Sequence, residues 1–193
     1  MVGTEASDGD LLAAAGRGDA AAFARLVERH YDIVYRVAWR MTSGHADTED
    51  IVQDAFMRLW NSPLQVRDAR ALRGWLLRVA SNLAIDRGRR RTTDDIDAIP
   101  EPASSEPSVL ERMEGEGAAR DVDRALAALP DRQRLALGLV YYEEMSNAEA
   151  AGVMDISVDA LESLLARARR SLKERLADNW QDLLAGLGAG GVR

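Results

Sequence analysis

Apolar residues along this chain recur every three or four positions, and no stretch alternates with period two long enough for a strand, so the pattern predicts helix almost throughout. Phe23, Leu26, Val27, His30, Ile33, Val34, Val37, Ala38 and Met41 form one stripe, with Asp19 placed to cap its start. Thr42, Ser43 and Gly44 interrupt it. Asp47 is read as the cap of a second long helix that buries Ile51, Val52, Ala55, Phe56, Leu59 and Trp60, and Asn61–Ser62–Pro63 ends it. A loop leads to a third helix over about Ala69–Arg90, with Leu72, Trp75, Leu76, Val79, Leu83 and Ile85 as core candidates.

Beyond residue 91 the pattern dissolves. Residues 92–120 hold Pro100, Pro102, Pro107 and eight acids, too little apolar surface to bury, and are expected to be a flexible acidic linker in which helix resumes from about Leu110. Val122, Leu126 and Leu129 then lead to Pro130, and Leu135, Leu137, Leu139 and Val140 predict a further helix. Two short helices come after it, roughly Asn147–Met154 and Val158–Leu176. The fold class expected is all-α: two small helical domains at 19–91 and 121–178, joined by the linker, with an N-terminal segment 1–18 and a Gly-rich tail 179–193.

Ser146 to Ser157 has the arrangement of a helix-turn-helix. Ala150 and Ala151 permit a close helix crossing, Asp155 and Ile156 fill the turn, and Ser157 caps the second helix. On a helical wheel Leu161, Leu164, Leu165, Ala168 and Leu172 share the inner face. Ser163, Ala166, Arg170 and Lys173 lie opposite, flanked by Glu162 and Arg169 on one side and Arg167 on the other. Short polar and Arg side chains outward at the start of such a helix can reach base edges, and later arginines can hold phosphates. The same residues also fit an amphipathic helix with a solvated face.

Charge changes the picture in one respect. The net charge of −7 argues against nucleic acid, but residues 1–91 carry 14 Arg against 12 acids, and the basic residues cluster at 67–91 and 167–175. A binding site needs local positive potential, not a positive total. The chain has no cysteine, which excludes disulfides and thiolate metal sites and fits a reducing cytoplasm. The acidic start lacks the apolar run of a secretory signal, and no apolar stretch approaches the roughly 20 residues of a membrane span, so no membrane insertion is expected. His30 and His45 are the only histidines and stand in no metal-ligand or triad context. The chain is therefore read as no enzyme, with no catalytic or metal residues and no cofactor.

Two further segments carry chemistry. In Asp47–Trp60 the outward residues Asp47, Glu49, Asp50, Gln53, Asp54, Met57 and Arg58 mix acids, an amide and a thioether, which suits a basic helical partner or a solvated face. In Leu72–Asp86 and the arginines after it, Arg73, Arg78, Asn82, Arg87, Arg89, Arg90 and Arg91 could combine phosphate contacts with base capture, with Trp75 read as core.

Taken with Leu129–Pro130–Asp131–Arg132–Gln133–Arg134 and Ala166–Arg167–Ala168–Arg169, these motifs resemble the extracytoplasmic-function (ECF) sigma factors over about Asp19–Leu176. The resemblance implies that the first domain is sigma region two. Asp47–Trp60 would dock on the clamp helices of the largest subunit of core RNA polymerase, and Asn61–Arg91 would open and read the minus-ten element. The second domain would be region four, meeting the polymerase flap and reading the minus-thirty-five element of promoter DNA through Glu162, Ser163, Ala166 and Arg167. Where relatives often carry basic residues, this chain has Glu162 and Leu164. The resemblance also implies an anti-sigma factor as partner. A homodimeric helix-turn-helix regulator and a sigma mimic that binds a regulator but not DNA stay open at this point.

Overall fold

The computed structural model describes residues 6–44, 47–63, 66, 68–94 and 116–176. They fall into two compact units divided between Gly88 and Arg89. Among the described residues the regular structure is helical throughout.

The first unit holds α1 (Asp8–Ala15), α2 (Ala20–Thr42), α3 (Asp47–Asn61), a short 3₁₀ turn (Ala69–Ala71) and most of α4 (Leu72–Asp94). Helix α2 starts because the Asp19 carboxylate accepts from the Ala21 and Ala22 amides, at 2.9 and 3.1 Å. It stops at Ser43, whose left-handed backbone (φ 54°) turns the chain, followed by Gly44 at φ 78°. One stripe of α2, Leu26–Val34–Val37–Ala38–Met41, packs against α3, which contributes Ile51, Val52, Ala55, Phe56 and Leu59. Leu72, Leu76, Leu77, Ala80, Leu83 and Ala84 of α4 are buried. At roughly 1.5–3 kcal/mol for each large apolar side chain removed from water, these rows supply most of what holds the unit together. The junction of α2 and α3 is fixed by a hydroxyl pair, Thr42 Oγ1 to Thr48 Oγ1 at 2.8 Å, with Thr48 fully buried.

The structure adds a helix to the N-terminal segment and corrects several expectations. Residues 1–18 contain a helix: α1 is capped by Ser7 in a reciprocal box with Asp10 and buries Leu11, Leu12 and Ala15 against α2. Asp47 stands inside α3 as its first residue. Trp60 is only half-buried, its ring 4.9 Å from that of Phe23. Trp75, Val79 and Ile85 are half-buried as well, while Leu77, Ala80 and Ser81 take up the inner face. Ser81 is admitted because its hydroxyl donates to the Leu77 carbonyl at 2.7 Å. His30 lies at the core edge, and its Nε2 meets the Asp8 carboxylate at 2.8 Å.

Helix runs into both ends of the stretch read as linker. Helix α4 continues to Asp94, past the division between the units, and α5 (Glu116–Ala127) lies in the second unit. The expected resumption of helix from Leu110 and the Gly-rich tail lie outside the described residues. Pro130 then starts α6 (Asp131–Leu137), which passes into a π turn (Gly138–Tyr142) where the spacing predicts one continuous helix. Leu135, Ala136, Leu137, Gly138 and Leu139 are all buried in succession. Helices α7 (Asn147–Met154) and α8 (Val158–Arg175) complete the unit, with α8 packed on both α6 and α7.

Candidate nucleic-acid and polymerase interfaces

The helix-turn-helix is built as its sequence demands. Ser146 caps α7 in a reciprocal box with Glu149, and α7 ends at Asp155, in the left-handed region at φ 55°. Asp tolerates that conformation better than most residues. Ser157 caps α8 by accepting from the Ala160 amide at 3.2 Å. Ala150 and Ala151 are buried at the crossing, as their size allows. Leu161, Leu165, Ala168 and Leu172 are buried and Leu164 is half-buried.

Every α8 residue expected on DNA is exposed: Glu162, Ser163, Ala166, Arg167, Arg169, Arg170 and Lys173. Acidic and small side chains occupy the front half of this surface, and all its basic residues come later. Arg167 Nε donates to the Ser163 carbonyl at 3.2 Å, and Arg169 Nε to that of Leu165 at 3.4 Å, so each lies along its own helix. The Asn147 amide donates to Glu162 Oε1 at 3.3 Å, tying the first residue of α7 to the second turn of α8. A contact between positions that far apart leaves no local signal in the sequence.

In the first unit α3 presents Glu49, Asp50, Gln53, Met57 and Arg58 to solvent, with Asp47 and Asp54 half-buried. Met57 is 46% exposed, which is uncommon for so apolar a side chain and leaves it open to a partner. On α4, Arg73, Asn82, Arg89 and Arg90 are exposed and Arg78 is half-buried, while Arg91 lies in the helix with its side chain outside the described residues.

Arg87 departs from expectation. Its place in the basic run puts it with the DNA-binding residues, but its guanidinium pairs with Asp54 at 2.8 Å and Asp50 at 3.5 Å and reaches the Asp47 carbonyl at 3.5 Å. The pull of these acids turns Arg87 across α3, so one member of the expected DNA set and three of the expected docking set hold each other. A second cluster that the sequence does not reveal clasps α1 to α2. Burial pushes the Asp8 carboxyl up, but hydrogen bonds from Arg29 and His30, and their charges, outweigh it and hold it below the ordinary range. A row of stacked rings on α2, Tyr31–Tyr35–Trp39, also escapes the sequence reading, although its i, i+4, i+8 spacing was an available signal.

A helix-turn-helix with basic residues on its outer face, in one chain with a helical unit that exposes an acidic helix, is the make-up of a DNA-binding transcription protein with a second partner. Residues 26–93 match the family model for Sigma-70 region 2, and residues 119–172 that for Sigma-70 region 4. The chain is 31% identical over 175 residues to the ECF RNA polymerase sigma factor SigL of Mycobacterium tuberculosis, covering 86% of this chain and 96% of that protein. It is 29% identical to SigW of Bacillus subtilis, covering 84% and 92%. Against SigE of Mycolicibacterium smegmatis the identity is 31%, and the chain spans only 60% of that relative's length. Among solved structures it is similar to CnrH in complex with the cytosolic domain of CnrY, with TM-score 0.63, 29% identity, and 88% and 96% of the two chains covered. The chain belongs to the ECF sigma factors of bacterial RNA polymerase.

Proposed function

We propose that this sigma factor brings core RNA polymerase to a restricted set of promoters, with its tasks divided between the two units. Helix α3 docks on the clamp helices of the largest subunit through Glu49, Asp50, Gln53, Met57 and Arg58. The segment from Asn61 through α4 opens and reads the minus-ten element, using Arg73, Arg78, Asn82, Arg89, Arg90 and Arg91. The second unit meets the flap, and α8 reads the minus-thirty-five element with Glu162, Ser163, Ala166 and Arg167, while Arg169, Arg170 and Lys173 hold phosphates. The observation that supports this most is the outer face of α8, exposed along its whole length over a separate row of core leucines.

Two weak DNA-reading units on one chain act together when polymerase fixes their separation, which raises the effective concentration of each for its element. The chain acts as an initiation factor in the cytoplasm and makes or breaks no bond itself. An anti-sigma factor holds it in reserve. Support for that comes from a solved relative, CnrH, which is bound to the cytosolic domain of CnrY.

The test is co-purification with core enzyme and promoter-selective transcription. Asp50 is a poor choice for substitution because it partners Arg87, whereas Glu49 and Gln53 are exposed and stand outside that pairing. Glu49→Arg with Gln53→Arg should abolish co-purification and leave the helical circular dichroism unchanged. Retained binding by the double variant would remove α3 from the interface.

A further inference from the structure

Glu162 is an odd residue for a surface that approaches a polyanion. It is exposed, the fifth residue of α8, about 6 Å along the helix axis from its first residue. Its exposed neighbours Ser163 and Ala166 are short. The first basic side chain of α8, Arg167, comes five positions later. A carboxylate here gains nothing from phosphates and is repelled by the O6 and N7 acceptors of guanine. What it can take from a base edge is an amino hydrogen.

The Asn147 amide holds one oxygen, Oε1, at 3.3 Å, and that bond leaves Oε2 as the acceptor to present. Two bases offer an amino group in the major groove: cytosine through N4, and adenine through N6. Adenine sets its N7 acceptor beside N6, where a second carboxylate lone pair meets repulsion. On its major-groove edge cytosine carries no acceptor of its own next to N4. The carboxylate therefore favours cytosine.

We infer that Glu162 is a specificity-determining residue that selects a cytosine in the minus-thirty-five element, with Asn147 as the residue that positions it. This rests on the reading that α8 enters the major groove of that element. A lone acceptor stands at the low end of base discrimination, about fivefold at the position it faces. Replacing the carboxylate by an amide adds a donor, and the Gln side chain matches the N6 and N7 pair of adenine.

The experiment is transcription by holoenzyme, reconstituted from core polymerase and the full chain, on a library randomised across the minus-thirty-five element. The wild type should prefer cytosine about fivefold at one position. Glu162→Gln should move the preference at that position alone to adenine. Asn147→Ala should weaken the cytosine preference there and leave the other positions as they were, an effect that a bond serving only to brace α7 against α8 does not produce. If wild-type holoenzyme has clear base preferences and Glu162→Gln changes none of them, the inference is overturned and the reading of α8 stands. If Glu162→Ala strengthens every sequence alike, Glu162 only repels DNA and the inference also fails. A wild-type holoenzyme indifferent to every minus-thirty-five base removes the reading of α8 together with the inference.

Discussion

The pairing of Arg87 with Asp54 can be put to a number. The guanidinium and carboxylate are 2.8 Å apart, with side chains 28% and 49% exposed. At that separation two unit charges attract by about 1.5 kcal/mol in bulk water, and the loss of side-chain freedom reduces this to a net ~0.2–1 kcal/mol for a pair so open to solvent. A double-mutant cycle of Arg87→Ala and Asp54→Ala should therefore give a coupling of about 0.5 kcal/mol at low salt. For a unit of this size that corresponds to roughly 2–4 °C in midpoint. Arg87→Ala alone should cost more than Asp54→Ala alone, since it also removes the contacts to Asp50 and to the Asp47 carbonyl. The coupling should shrink in 1 M salt. The assay is a urea titration of the full chain read by hydrogen exchange at α3 and α4 amides, which isolates the first unit from the second. Strict additivity of the two substitutions would refute the cross-tie and return Arg87 to the set available for DNA.

Other outcomes rest on the same structure. Arg167→Ala should cost about 1–3 kcal/mol at particular minus-thirty-five bases, whereas Lys173→Ala should weaken all promoters alike and lower the salt slope by about one phosphate contact; equal, base-independent losses in a salt series would remove Arg167 from base reading. Because the Asp8 carboxyl is held below its ordinary value of 3.8, its contribution is complete above that pH and is lost as pH falls through the lowered folded value. Protection of α1 amides should drop in that acid window in the wild type and drop less in Asp8→Asn, where only the Asp10 carboxyl of the Ser7 cap, held low by its hydrogen bonds with Ser7, still titrates within α1. Gly44→Ala should destabilise the first unit by roughly 1–2 kcal/mol, because alanine at φ 78° is strained and its Cβ would stand 2.8 Å from the Trp39 ring; a thermal midpoint unchanged from the wild type would contradict this.

What the sequence made legible was whatever repeats along one helix. The stripes of α2 and α3 and the inner leucines of α8 share a period, so their burial and the exposure opposite them could be read from spacing alone. Helix α1 could not: Asp8–Ala15 has only Leu11 and Leu12 as large apolar residues, too few to show a period, and it is held by its Ser7 cap and by docking on α2. The π turn after Leu137 adds a residue within a turn, which no hydrophobic pattern announces. In the candidate sites, exposure was legible and pairing was not. Arg87 and Asp54 lie 33 positions apart, and Asn147 and Glu162 lie 15 apart, so only the fold brings them together.

The division of α8 into two faces also bears on how such a protein can diverge. Leu161, Leu165, Ala168 and Leu172 hold the helix in place, and truncating a buried Leu there costs about 2–5 kcal/mol, enough to threaten the unit. The outer positions make no such contribution, and exchanges among exposed residues of this kind usually shift stability by less than about 0.5 kcal/mol in either direction. A duplicated copy of the gene could drift through many outer-face sequences, each addressing a different set of promoters, without passing through an unfolded ancestor. On the proposed reading of α8, promoter choice is separable from folding within one 18-residue helix. The exception is position 162, where a change also releases Asn147, so drift there should be accompanied by change at 147.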